Sequence, residues 1–140
     1  MGFQKLEMLS QNEMLRMVDA LRAIRQRVRW KPGKDSAHIE KRRRMQHIPF
    51  SASLSDYENI IADIVGNNQN MIYLYDFAGI HFYSVRGLVD NAEWLVIFGA
   101  GGLMETAFPP RDIDDYISRR GFIWVGLIEE VLTWTKKAVN

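Results

Sequence analysis

With 140 residues, 47% of them hydrophobic and 25% charged, the chain is long enough for one hydrophobic core and too short for two. The lack of cysteine removes a disulfide framework, a thiolate metal site and a thiol nucleophile. No stretch approaches the roughly 20 apolar residues that span a bilayer, and Glu7 and Glu13 interrupt any signal-like run. A cytoplasmic protein that does not enter the membrane is expected.

A net charge of +1 conceals a strong asymmetry. Residues 21 to 46 carry ten Lys or Arg against Asp35 and Glu40, whereas residues 47 to 140 carry six basic and twelve acidic side chains. Such separation points to one surface that meets a polyanion.

In chain order, Met14, Met17, Val18, Leu21, Ile24 and Val28 recur at spacings of three and four, so an amphipathic helix is expected over residues 5 to 29. It is either a packing element or an interaction arm that could join two copies of the chain. Lys31-Pro32-Gly33 ends it. Asp35 or Ser36 is a candidate cap for a second helix running to about Gln46, and Pro49 stops that helix. Ser55-Asp56-Tyr57-Glu58 has the spacing of a capping box, with Tyr57, Ile60, Ile61, Ile64 and Val65 forming the apolar stripe of a third helix up to Gly66.

The period then changes from helical to extended. Met71 to Phe77, Ile80 to Arg86, Trp94 to Gly99 and Leu103 to Phe108 are β-branched and aromatic runs divided by turn residues, which predicts an antiparallel meander. Asp112 can cap a short helix through Arg120. Gly121 to Gly126 is a last strand, and residues 127 to 140 form a C-terminal helix. The fold class is α+β, a single domain with N-terminal helices packed on one face of a twisted antiparallel sheet of four or five strands.

Two segments have the residue types for chemistry. On the second helix His38, Lys41 and Arg42 share a face, so an imidazole and two cations can converge on one phosphate. His47 lies beyond, as a second acid or base or as a polar cap, and imidazole suits proton transfer near neutrality. Arg43 and Arg44 point more to the sides. In Met104-Glu105-Thr106-Ala107-Phe108, strand alternation puts Met104, Thr106 and Phe108 on one face, with Thr106 a buried hydroxyl or at the rim of a cleft. His81 and Tyr83 on the second strand are candidates for stacking an unpaired base, and Arg86 for holding an anion from a strand end. The glycine-rich run Gly99 to Gly102 does not open a helix, and His38, His47 and His81 lack the close pairing of a zinc helix, so neither a phosphate loop nor a metal or cofactor is expected.

The order of these parts, a helix with His38 and Lys41-Arg42, then His47-Ile48-Pro49, then a meander with Trp94-Leu95-Val96-Ile97 and Met104-Glu105-Thr106-Ala107-Phe108, resembles the BECR nucleases. That superfamily groups barnase, EndoU, colicin-type RNases and RelE-like toxins, with phage-encoded and polymorphic-toxin branches. The likeness covers roughly residues 36 to 126 and implies a nuclease core over 35 to 126. It also implies a metal-independent endoribonuclease in which a ribose 2′-hydroxyl attacks the neighbouring phosphate. His38 would match the family's helix histidine, Lys41 or Arg42 its phosphate-binding cation, and Thr106 the polar residue of its late strand. The resemblance further implies an RNA substrate, with Arg43 and Arg44 giving general affinity for it, and a cognate antitoxin or immunity protein. The other reading is a non-catalytic module in which residues 38 to 47 grip nucleic acid or an acidic protein.

Overall fold

The computed structural model describes residues 9 to 139, with side chains described up to residue 134. Its elements are α1 (Gln11–Gln26), β1 (Arg29–Trp30), α2 (Lys34–Arg44), α3 (Leu54–Gly66), β2 (Met71–Phe77), β3 (Ile80–Val89), β4 (Ala92–Phe98), β5 (Leu103–Phe108), α4 (Ile113–Arg120), β6 (Ile123–Leu127) and α5 (Ile128–Val139). The fold is α+β. Six strands form one open sheet in the order β1-β5-β4-β3-β2-β6.

Strands β2 to β5 form the expected meander, with two additions. Strand β6 pairs antiparallel with β2, and the two-residue β1 pairs parallel with the start of β5, Arg29 against Leu103 and Trp30 against Met104. The sheet is therefore mixed and has six strands, not four or five. A two-residue strand has no periodicity to detect, and its pairing depends on where α1 delivers it. Strand β3 extends past Arg86 to Val89 because Asp90 and Asn91 both adopt positive φ, 47° and 69°, the geometry that closes a two-residue hairpin.

Alternation along the strands separates two apolar layers. On one face Ile72, Leu74, Tyr83, Val85, Val96 and Phe98 pack with residues from α1, α3 and α5. On the other, Tyr73, Leu95, Ile97 and Phe122 pack with Ile113, Tyr116 and Ile117 of α4. Helices therefore cover both faces, against the expectation of one.

Helix α1 starts at Gln11, capped by Ser10, whose side chain accepts from the Glu13 amide. The predicted stretch before Leu9 lies outside the described residues. At the other end the helix stops at Gln26, so Val28 belongs to the approach to β1. Met14, Met17, Ala20, Leu21 and Ile24 are essentially inaccessible. The apolar stripe is used inside the domain, and α1 is a core element, not an arm. The α3 capping box is Ser53 with Asp56, two residues ahead of the predicted Ser55 with Glu58. Glu58 instead accepts a hydrogen bond from Trp30 Nε1 at 2.8 Å, tying α3 to β1.

The turn before β5 lies directly on α1. A Cβ at Gly102 would sit 2.8 Å from Ile24 N and 2.9 Å from Ala20 O, whereas one at Gly79 would meet nothing within 4 Å. Both glycines have similar positive φ, 80° and 86°, so backbone strain is common to the two. Gly102→Ala is expected to lower stability by about 1–3 kcal/mol more than Gly79→Ala, because the clash is with helix backbone that cannot rotate away. Urea midpoints of the two variants check this.

Candidate functional site

The site begins with an irregularity in β5. Ile97 pairs with Thr106 and Phe98 with Met104, so Glu105 is an extra residue bulged out of the ladder. The bulge rotates the alternation. Met104 and Ala107 become fully buried on the α1/α3 face, and Thr106 shares the opposite face with Phe108. The expectation that Met104, Thr106 and Phe108 share one face fails at this point. Glu105 is held beside β1 by Lys31 and, at 3.9 Å, by Lys34.

Beyond Met104, β5 has no strand neighbour on its outer side among the described residues. Its place is taken by Tyr57 of α3, whose hydroxyl donates to Ala107 O at 2.5 Å and accepts from Ala107 N at 3.3 Å. Burial pushes the Tyr57 hydroxyl up to about 12, so it remains a neutral donor. Helix α2 crosses this edge and sets His38 Nδ1 3.1 Å from Thr106 Oγ1. Trp30 stacks on the His38 ring at 6.5 Å and meets the Tyr57 ring at a tilt at 5.5 Å, limiting the rotation of both.

One turn further along α2, Arg42 is only 3% exposed. Its Nη1 donates to His47 Nδ1 at 3.1 Å and its guanidinium lies 5.4 Å from the Phe108 ring centre. Among the described residues no carboxylate pairs with it, and Nε has no partner. Because arginine only donates, His47 Nδ1 accepts, and the neutral ring carries its proton on Nε2. A buried cation without a counter-charge is costly unless an anion arrives to meet it.

Arg42 forms the base of a cleft of about 930 Å³. One wall is Lys41, Met45 and His47; the floor is Phe108 to Pro110; the opposite wall comes from α4 and the residues just before it and includes Arg111, Arg119 and Arg120. Five cations line it against Asp112 and Asp115. Asp112 caps α4 and Asp115 accompanies Arg119 at 3.5 Å, and the lining as a whole keeps an excess of positive charge. His38 and Thr106 are not among the residues that line the cleft; they stand one helical turn from Arg42 and two residues from Phe108.

Both imidazoles are held below their ordinary range. For His38 burial is the main cause, followed by the charges of Lys34, Arg42 and Lys41; for His47 it is burial, then Arg42 and Lys41. At neutral pH the site therefore presents neutral imidazoles beside permanent cations.

The remaining candidates do not converge here. Tyr83 is 1% exposed and packed against Phe98, so it cannot stack a base. His81 is bound to Glu13 at 2.8 Å and lies 3.6 Å from Asp76, a clasp between α1 and the β2–β3 hairpin. Arg86 is in mid-strand and is committed to Glu93 at 2.8 Å and Asp114 at 2.8 Å. Burial alone would lower its pKa, but hydrogen bonds to Asp114, Tyr73 and Glu93 outweigh that and raise it, so it is a structural cation and not an anion receptor. Arg43 donates to Ala52 O at 2.5 Å and to Glu40 at 3.3 Å, pinning the loop that follows α2. Arg44 is exposed. Sequence reasoning missed the α4 wall, Trp30 and Tyr57. Arg119 and Arg120 looked like ordinary charges in the last turn of a helix, and nothing local showed that they face α2.

Among the described residues no group of three or more His, Asp or Glu side chains is gathered as a metal site, and no helix is long and apolar enough to cross a membrane. Comparison with protein-family models, with curated proteins and with solved structures finds no match.

The depressed imidazoles have a stability consequence. The unfolded chain binds protons near pH 6.5, the folded one only at lower pH. Stability contributed by the neutral histidines is thus complete above about pH 6.5 and is lost as pH falls through the folded values. Urea midpoints measured from pH 8 to 5 are expected to decline, and His38→Gln and His47→Gln should each flatten that decline.

Proposed function

We propose that this chain is a metal-independent endoribonuclease that cleaves by attack of a ribose 2′-hydroxyl on the adjacent phosphorus. The observation that carries the reading is the buried, carboxylate-free Arg42 between two neutral imidazoles, with Thr106 bonded to one of them. The arrangement suits a phosphodiester, whose charge Arg42 and Lys41 can receive and whose neighbouring hydroxyl a neutral imidazole can deprotonate.

In this mechanism Thr106 accepts from His38 Nδ1–H, which leaves His38 Nε2 bare to take the 2′-hydroxyl proton. The 2′-oxygen bonds to phosphorus, the bond to the 5′-oxygen breaks, and that oxygen takes a proton from water. The products are a 2′,3′-cyclic phosphate and a 5′-hydroxyl. Arg42, Lys41 and the His47 Nε2–H stabilise the charge that accumulates on the phosphorane. His47 then acts as a donor, because its Nδ1 is already engaged by Arg42. Thr106 is a positioning residue that sets the tautomer and ring plane of His38. The resemblance to BECR nucleases supports the same roles for His38, for Lys41 or Arg42, and for Thr106. It brings with it a cytoplasmic RNA substrate and a cognate antitoxin or immunity protein.

Purified protein incubated with total RNA and a chelator is expected to yield cyclic-phosphate ends. His38→Ala should reduce the rate by about 10²- to 10⁴-fold with the fold intact, and Thr106→Val by less. The acid limb of the rate profile should lie below pH 6.5, since the base is active only when neutral and its pKa is lowered. Intact RNA across several substrates, with binding that weakens steeply with salt, would replace this reading with the non-catalytic module.

A further inference from the structure

The α4 wall of the cleft carries a feature that cleavage chemistry does not need. Phe108 meets Tyr116 edge-on at 5.2 Å, and the Arg120 guanidinium lies over the Tyr116 ring at 4.6 Å. Tyr116 is anchored from behind by Phe122, an edge contact at 6.0 Å, and Phe122 is stacked on Tyr75 at 4.5 Å. The result is an aromatic ladder rooted in the core and ending, at the cleft surface, in a planar cation. Arg120 has an exposed outer face and, among the described residues, no carboxylate partner. Arg111 is likewise exposed at the head of α4, and Pro109 and Pro110 restrict the backbone between the ladder and β5.

We propose that this wall is a base-stacking subsite for single-stranded RNA, in which a nucleobase flanking the phosphate at Arg42 stacks on the Arg120 plane while Arg111 and Arg119 follow the adjoining phosphates. The inference rests on the ribonuclease reading and extends it to the form of the substrate. Arginine stacked on tyrosine offers a flat, weakly hydrated surface that suits a base, and stacking of this kind tolerates any base identity. A paired base has both faces covered by its neighbours in the helix, so a duplex cannot use the subsite. Arg120 and Arg42 line the same cleft, one from α4 and the other from α2, as a single strand passing between the two helices requires.

Binding is measured by fluorescence anisotropy with a 2′-O-methyl oligonucleotide, which lacks the attacking hydroxyl, as a single strand and as a duplex of the same sequence. The wild-type chain should prefer the single strand. Arg120→Ala should weaken single-strand binding roughly tenfold, within the range for loss of one stacked base. Arg120→Lys should remain weakened, because it restores charge without the plane, and Arg22→Gln, a charge loss on α1, should leave binding unchanged. Equal weakening by Arg120→Ala and Arg22→Gln, or full rescue by Arg120→Lys, would reduce Arg120 to a point charge and overturn the subsite. So would competition by poly-glutamate as effective as that by RNA, which would make the wall a surface for an acidic protein. The two readings fail separately. Normal binding by Arg120→Ala with cleavage still dependent on His38 removes the subsite alone, whereas Arg120-dependent binding without any cleavage by the wild-type chain removes the nuclease alone.

Discussion

The outer edge of β5 is the constraint on which the site depends. Strand β1 covers Leu103 and Met104, and beyond them no further strand among the described residues pairs with this edge. The Tyr57 hydroxyl satisfies the amide and the carbonyl of Ala107, doing with one side chain what a further strand residue would do with its backbone. Because a hydroxyl occupies less length than a strand, the edge stays open for α2 to cross it. The Glu105 bulge then turns Thr106 toward that helix. His38 and Thr106, separated by 68 positions in the chain, meet as a result of these two departures from regular pairing.

Electrostatics at this edge follow from burial. Lys34, Lys41 and Arg42 surround imidazoles that are already partly withdrawn from water, so both effects favour the neutral ring. Arg42 keeps its charge, since guanidinium does not release its proton in proteins. Its neighbours are a histidine and the face of Phe108 instead of a carboxylate, which is a weaker form of compensation.

The segregated charge of the chain is redistributed by folding. Of the basic run, Arg43 secures Ala52, Arg29 donates to Gly101 O at 2.7 Å, and Arg25 binds Asn68 at 2.9 Å. These are structural uses of residues that a linear reading assigns to a common surface. The cleft instead draws Arg111, Arg119 and Arg120 from the acidic half of the chain and joins them to Lys41 and Arg42. Local net charge marked the basic residues on one side of this cleft and missed those on the other.

The α+β class, the meander, α1 and α3, and the face of α2 bearing His38, Lys41 and Arg42 were legible because each depends on periodicity, capping or turn chemistry within about ten residues. The Asp112 cap and the Asp90-Asn91 turn belong to the same local category. Strand β1, the shift in face between Met104 and Thr106, the engagement of Arg86 and His81 in ion pairs, and the burial of Tyr83 were not. Each is set by a partner far away in sequence: β5 for Arg29 and Trp30, a one-residue slip against Ile97 and Phe98 for Thr106, Asp114 for Arg86, and Glu13 for His81. The sequence by itself determined which side chains stand together on one element, because helix and strand geometry are local. Only the tertiary structure decided which elements face one another, because that depends on long-range packing, and on it rest both the bond from His38 to Thr106 and the second wall of the cleft.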